Sequence, residues 1–178
     1  KQFEDLIDTK EDILQMIKKL ETDMVRIFKS SFKKINDNFT KVFQILFDGG
    51  EAGLLLDGED VLTAGIEIVA KPPGKKLKNI GLLSGGEKAL TAVALLFSIF
   101  EINPEPFCVL DEIDAVLDEA NIKRYLHYWR RLTDKTQFII ITHRKVTMEM
   151  AEILYGVTME EKGISKVITL ELDDYKGE

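Results

Sequence analysis

The sequence predicts an α/β fold with a mostly parallel sheet, preceded by a long coiled-coil-like helix. Two observations predict the sheet: residues 107–110 and 138–141 are short, uninterrupted apolar runs between helical stretches, the pattern of parallel strands covered on both faces. A third predicts the helix, because from Phe3 to about Phe47 apolar residues recur every three or four positions with neither proline nor glycine among them. A chain of 178 residues, 45% hydrophobic, has enough apolar material to bury a core as one domain or two small ones.

The helical stripe runs through Ile13, Ile17, Leu20, Met24, Phe28, Phe32, Ile35, Phe39, Val42 and Leu46. About 45 residues at helical rise reach roughly 68 Å, against about 11 to 12 residues for an ordinary helix. Its first half is dense in Glu, Asp and Lys and reads as coiled coil, and its second half is rich in Phe and reads as a helix docked on a core. The alternative is a plain core helix with a frayed start. The coiled-coil reading implies a partner segment and divides the chain into a coiled-coil end and neck helix, residues 1–47, and a lobe, residues 48–178.

Asp48-Gly49-Gly50 breaks the helix, and residues 53–57 and 65–69 then read as short strands. The basic loop Lys71-Pro72-Pro73-Gly74-Lys75-Lys76-Leu77-Lys78 is a solvated surface turn or a phosphate contact. A helix is expected over 86–101, a strand over 107–110, a helix over 121–132, a strand over 138–141 and a short helix after Lys145. Two last strands, near 154–159 and 166–172, join across Glu161-Lys162-Gly163.

Composition excludes several classes. A single cysteine excludes a secreted, cross-linked scaffold and fits a reducing compartment. No apolar run reaches the ~18 residues of a membrane span. The opening Lys1-Gln2-Phe3-Glu4-Asp5 has neither a signal-peptide pattern nor an initiator Met, so the chain is expected to be excised from something longer. A net charge of −7 argues against a dedicated nucleic-acid module, although a whole-chain sum hides a local basic face.

Three stretches carry chemistry. In Leu82-Leu83-Ser84-Gly85-Gly86-Glu87-Lys88, Ser84 and Glu87 have capping-box spacing, which places Ser84 at the start of a helix. The two glycines leave its first N–H groups bare, so an anion can approach the positive end of the helix dipole. In Phe107-Cys108-Val109-Leu110-Asp111-Glu112, a buried strand ends in two carboxylates at the sheet edge where open α/β folds bind ligands. One acid can hold Mg²⁺ or its waters while the other polarises a water. Cys108 reads as a core residue. Ile139-Ile140-Ile141-Thr142-His143 is a second strand with a polar exit, bringing His143 to the edge that holds Asp111. The phosphate loop G-x-x-x-x-G-K-[ST] of Walker A is missing, since Gly74-Lys75-Lys76 lacks both the upstream glycine and the hydroxyl residue. The chain holds the back half of a nucleotide site.

With these residues in that order, the chain resembles the C-terminal half of an ABC-type ATPase head, specifically that of an SMC (structural maintenance of chromosomes) protein of the bacterial kind. LSGGEKAL at 83–90 looks like the ABC signature, FCVLDEIDAVLD at 107–118 looks like Walker B followed by the D-loop, and ITHRK at 141–145 looks like the H-loop. Glu87-Lys88 stands where transporter relatives usually carry Gln, which fits the SMC branch. The resemblance implies that a separate N-terminal half, before a long antiparallel coiled coil, carries Walker A. It also implies cofactors ATP and Mg²⁺, with Ser84, Gly85, Gly86 and Glu87 meeting the γ-phosphate of ATP on a second head. Asp111 is then the Mg²⁺ ligand, Glu112 the general base, Leu117 and Asp118 the D-loop at the dimer interface, and His143 the γ-phosphate contact in cis.

Implied partners are the N-terminal half, a second head in an ATP-dependent dimer, a kleisin subunit and DNA bound without sequence preference. The residues 28–47 helix is a candidate for the kleisin at the neck, and apolar residues of the last strands for the kleisin at the outer face. Lys29, Lys33, Lys34, Lys75, Lys76 and Lys78 are candidate DNA contacts, with solvated helix and loop faces as the alternative. The implied role is chromosome condensation and segregation in the cytoplasm, at the nucleoid. Rival readings are the head lobe of a coiled-coil DNA-repair ATPase, distinguished by a nuclease partner, and a catalytically idle kleisin-docking lobe.

Overall fold

The computed structural model describes residues 2–172; Lys1, residues 173–178 and the side chains of residues 2–6 and 8 lie outside the description, so the apolar start expected at Phe3 is described as backbone alone. The chain divides into two compact units, Lys1–Asn103 and Pro104–Glu178, each described by itself.

The first unit opens with α1, Gln2–Phe47, a single helix of 46 residues. Its apolar stripe divides in two. Phe39, Val42, Phe43, Leu46 and Phe47 are buried, whereas Ile13, Ile17, Leu20 and Met24 are exposed. Phe43 is the centre of the buried half, with Phe47 stacked on it at 4.0 Å and Phe39 meeting it edge-on at 6.2 Å. This end of α1 packs on α2, Gly85–Ile102, and on strand β1, Glu51–Asp57. From α2 come the buried Leu90, Val93, Ala94 and Phe97, one face at spacings of three and four. Polar side chains at the rim of α1 satisfy backbone groups of its neighbours. Asn36 Oδ1 accepts from Leu54 N at 2.7 Å, Thr40 Oγ1 donates to Ala52 O at 2.7 Å, and Asn38 Nδ2 donates to Ser98 O at 2.9 Å.

The helix stops where expected. Gly49 N donates to Gln44 O at 2.8 Å around Asp48, whose φ is 57°. Gly50 has φ +81° and lies so close to β2 (Gly65–Lys71) that a Cβ there would sit 2.5 Å from Lys71 O, which requires glycine. Strands β1 and β2 pair antiparallel from Glu51↔Lys71 to Asp57↔Gly65, and the short β3, Lys78–Asn79, adds to β2.

In the second unit β4, Phe107–Asp111, and β5, Gln137–Ile141, pair in parallel. Between them α3, Glu119–Trp129, contributes Ile122, Tyr125, Leu126 and Trp129 to the core, with Trp129 edge-on to Phe138 at 5.8 Å. Burial, and then the charge of Asp114, push the Tyr125 hydroxyl well above its ordinary range. The one-turn α4, Lys145–Met148, leads into β6, Ile153–Glu161, and β7, Ile164–Glu171, an antiparallel hairpin turned near Gly163. No described helix is long and apolar enough to cross a membrane.

Two expectations are corrected. The sheets are mostly antiparallel, with β4–β5 the one parallel pair among the described residues. The reason is connection length: β1–β2 and β6–β7 are joined by short turns, which return the chain antiparallel, and among the paired strands only β4 and β5 are separated by a helix. Nor is that parallel pair covered on both faces. Cys108, Leu110, Phe138 and Ile140 face inward, while Phe107, Val109, Ile139 and Ile141 are each at least half exposed.

Phe43→Ala is expected to destabilise the fold by about 3–5 kcal/mol, because the helix cannot collapse around a lost ring. Leu20→Ala, on the exposed half of the same helix, is expected to change stability by less than about 0.5 kcal/mol. Urea denaturation of both variants checks the contrast.

Candidate functional site

In the second unit, the parallel register from Phe107↔Gln137 to Asp111↔Ile141 makes β4 and β5 leave the sheet at one edge. Asp111 stands there exposed. The next residue, Glu112, has φ 47°, in the left-handed region that a glutamate rarely occupies, and its amide donates to Ile141 O at 2.9 Å. Such a conformation costs of order 1–3 kcal/mol and persists only where its surroundings impose it. That hydrogen bond ties the peptide before Glu112 to the end of β5. His143 Nδ1 lies 3.7 Å from Glu112 Oε1, with both side chains open to solvent. The fold thus brings Asp111, Glu112 and His143 to one edge: two carboxylates and an imidazole able to hold a cation, take a proton from water and donate to an anion.

Among the described residues no group of three or more His, Cys, Asp or Glu side chains could hold a metal ion. Mg²⁺ does not need one, since it commonly takes one or two carboxylates and completes its shell with waters and phosphate oxygens. The exposed Asp111 carboxylate, a hard oxygen donor, fits that partial role.

Beyond Glu112 the chain turns through residues 113–118 into α3. Asp118 caps that helix, its Oδ1 accepting from Asn121 N at 2.8 Å. Leu117 has its side chain buried. Asp114, only 1% exposed, accepts from Thr142 Oγ1 at 2.6 Å and from Thr147 Oγ1, both through Oδ2. Arg144 Nη2 donates to the carbonyls of Ala115, at 2.9 Å, and Leu117, at 2.8 Å.

In the first unit, Ser84 caps α2 as expected. Its amide and hydroxyl both donate to Glu87 Oε2, at 3.1 and 2.7 Å. The first intrahelical bond, Lys88 N to Ser84 O at 2.8 Å, comes after Gly85 and Gly86, so their amides have no helical partner. A Cβ at Gly85 would meet no atom within 4 Å, so nothing in the described fold demands glycine there. Lys75 Nζ bonds Glu87 Oε1 at 2.8 Å. The Lys75 ammonium, then the Ser84 hydroxyl, hold the Glu87 carboxyl below its ordinary range. Ser84 therefore spends its one hydroxyl proton on Glu87, and must rotate to donate to an incoming anion.

The remaining lysines of interest, Lys29, Lys33, Lys34, Lys76 and Lys78, are exposed. Cys108 is half-buried, and burial pushes its thiol up, away from nucleophile chemistry. Sequence reading missed Asp114, Arg144, Thr142 and Thr147 as a connected group. The available signal was a charged residue, Asp114, among the apolar residues Ile113, Ala115, Val116 and Leu117. Lys75 was legible only as part of a basic loop.

Comparison with known proteins supplies the family. The family model described as RecF/RecN/SMC N terminal domain matches residues 1–166. The chromosome partition protein Smc of Bacillus subtilis is 53% identical over 176 residues, which is 98% of this chain and 15% of that protein. The chain therefore spans a small part of the curated relatives it matches. A solved chain from work on ATP-driven dimerization and DNA-stimulated activation of SMC ATPases is 43% identical with a TM-score of 0.75, over 85% of this chain and 92% of that one. The Smc head domain with an extended coiled coil bound to the C-terminal domain of ScpA, derived from Pyrococcus furiosus, is 43% identical with a TM-score of 0.83, over 94% of this chain and 42% of that one. The fold is that of these head domains.

The link from Lys75 through Glu87 to Ser84 is open to a pH titration. A carboxyl held below 4.5 when folded adds stability above about that pH and loses it as pH falls through the folded value. Lys75→Ala removes the largest cause, so carboxyl-carbon NMR is expected to show Glu87 titrating at higher pH in the variant. An unmoved titration would assign the shift to the helix start instead.

Proposed function

The chain belongs to the bacterial SMC chromosome partition family, and from that premise we propose that it is the C-terminal half of the ATPase head, completing a composite ATP site and driving ATP-dependent head engagement. On this reading residues 1–47 are the coiled-coil end and neck helix, and residues 48–178 are the lobe with signature, Walker B, D-loop and H-loop. The observation that carries it is Glu112, held in a left-handed conformation 3.7 Å from His143 at the outlet of the parallel strands. The missing Walker A and the exposed apolar stripe of α1 support the C-terminal placement.

Each residue has a role that follows from its chemistry. Glu112 takes a proton from the attacking water and orients it in line with the γ-phosphate. His143 donates to a γ-phosphate oxygen in cis. Mg²⁺, held by Asp111 through water, would neutralise phosphate charge. Ser84 and the free amides of Gly85 and Gly86, with Glu87 beside them, receive the γ-phosphate bound on the second head, so ATP joins two heads through a helix N-terminus. Leu117 and Asp118 belong to the segment facing that interface. Once the γ-phosphate is cleaved, the signature loses its anion and the heads part.

The partners follow the same logic. The open face of β4–β5, with Phe107, Val109, Ile139 and Ile141, suits the N-terminal half, which would supply the second cover that a parallel sheet needs. The β6–β7 hairpin exposes Tyr155, Val157, Ile164 and Val167, an apolar surface for a kleisin, and the solved Pyrococcus furiosus head is bound to the C-terminal domain of ScpA. DNA is met without sequence preference by exposed lysines such as Lys33 and Lys76. The setting is the cytoplasm, at the nucleoid, during chromosome condensation and segregation.

The test mixes this chain with the matching Walker A half and measures ATP hydrolysis. Activity is expected only in the mixture. Glu112→Gln is expected to lower kcat by about 10²–10⁴-fold while preserving ATP-driven engagement. Ser84→Arg is expected to abolish engagement without preventing nucleotide binding in cis. A stable but inactive mixture would favour an idle docking lobe, and engagement surviving Ser84→Arg would remove the trans arrangement.

A further inference from the structure

The turn after β4 and the turn after β5 are fastened to each other by side chains that the catalytic scheme leaves without a role. Thr142 and Arg144, on either side of His143, both turn toward residues 114–117. Thr142 Oγ1 donates to Asp114 Oδ2 at 2.6 Å, and the same hydroxyl accepts from Arg144 N at 3.0 Å. Arg144 Nη2 reaches the carbonyls of Ala115 and Leu117, at 2.9 and 2.8 Å. Thr147, 2% exposed, closes the group by donating to Asp114 Oδ2. His143 itself is left with its side chain 65% exposed and Glu112 as its one neighbour in a polar contact among those described. Its place is therefore set by the residues flanking it.

The choice of groups is not that of a core built for stability alone. Asp114 is 1% exposed, yet its Oδ1 has no hydrogen-bond partner among the described residues. A buried carboxylate oxygen without a partner is unfavourable and uncommon, and tends to mark a position kept for something other than packing. Arg144 serves two separate carbonyls from one nitrogen, Nη2, whose two N–H bonds are fixed in the guanidinium plane, whereas a lysine ammonium is a shorter-reaching, more strongly hydrated point charge.

We propose that Asp114 and Arg144 form a lock that makes the Glu112-to-Asp118 turn and the His143 segment move as one body, with Arg144 a positioning residue for turnover and not for nucleotide affinity. The inference rests on the composite-site reading above. Loss of the γ-phosphate contact at His143 is then transmitted to Leu117 and Asp118, because Arg144 is the next residue and holds the Leu117 carbonyl directly.

The test uses the complete head, with its Walker A half, carrying Arg144→Lys, which keeps the charge, and Thr142→Val, which keeps the shape in case the first variant folds poorly. Expected is a fall in kcat of about 10- to 100-fold with KM for ATP changed less than twofold. Hydrogen exchange at the amides of 115–118 and 143–147 is expected to rise together in both variants. Unchanged exchange across 115–118 overturns the lock, and faster exchange with unchanged kcat overturns its role in turnover. A wild-type head without ATPase activity overturns the composite-site reading instead, and the exchange measurement still decides whether the two turns are coupled.

Discussion

The parallel register of β4 and β5 is the constraint on which the candidate catalytic edge depends. Strands running the same way, aligned from Phe107↔Gln137 to Asp111↔Ile141, must end side by side. The chain then has to leave the sheet twice at one place. The amide of Glu112 uses the last carbonyl of β5, Ile141 O, and Glu112 itself stands at φ 47° as the chain turns away. An antiparallel pairing of the same two segments would put Asp111 and His143 at opposite ends. The chemistry of the edge is thus a consequence of strand direction, which a helical crossover such as α3 permits and a short turn does not.

A different principle governs the start of α2. Ser84, Gly85, Gly86 and Glu87 lie within four consecutive positions, and their arrangement is set by the end of a helix. The added element is Lys75, which arrives from the loop after β2 and bonds the carboxylate already engaged by Ser84. The charge of Glu87, close to where an anion would bind, is offset by Lys75. The helix terminus therefore presents its free amides with the neighbouring carboxylate already paired.

Apolar surface left open is the third theme. Half of the α1 stripe, one face of β4–β5 and much of β6–β7 remain exposed, while α1 from Phe39 to Phe47 is buried against α2 and β1. The chain spans 15% of a relative such as the Bacillus subtilis protein, and on the reading proposed above these surfaces meet the other parts of the head. This also accounts for the error over β4 and β5. Runs such as Phe107-Cys108-Val109-Leu110 carry apolar side chains on both faces although one face is open here, and on the reading proposed above the second cover is the N-terminal half.

By itself the sequence determined what depends on near neighbours. The long helix and its stop at Asp48-Gly49, the capped start of α2, the hairpin turn at Gly163 and the family motifs were all legible, because each is decided by residues a few positions apart. The sequence overstated parallel pairing, since an apolar run signals burial without stating which strand lies beside it. Only the tertiary structure decided the left-handed backbone of Glu112, the ion pair of Lys75 and the fastening of residues 114–117 to residues 142–147. The partners in that last group are 27 to 33 positions apart. Spacing along the chain carries no record of such bonds, because they form only after the crossover helix has folded back and set β5 beside β4.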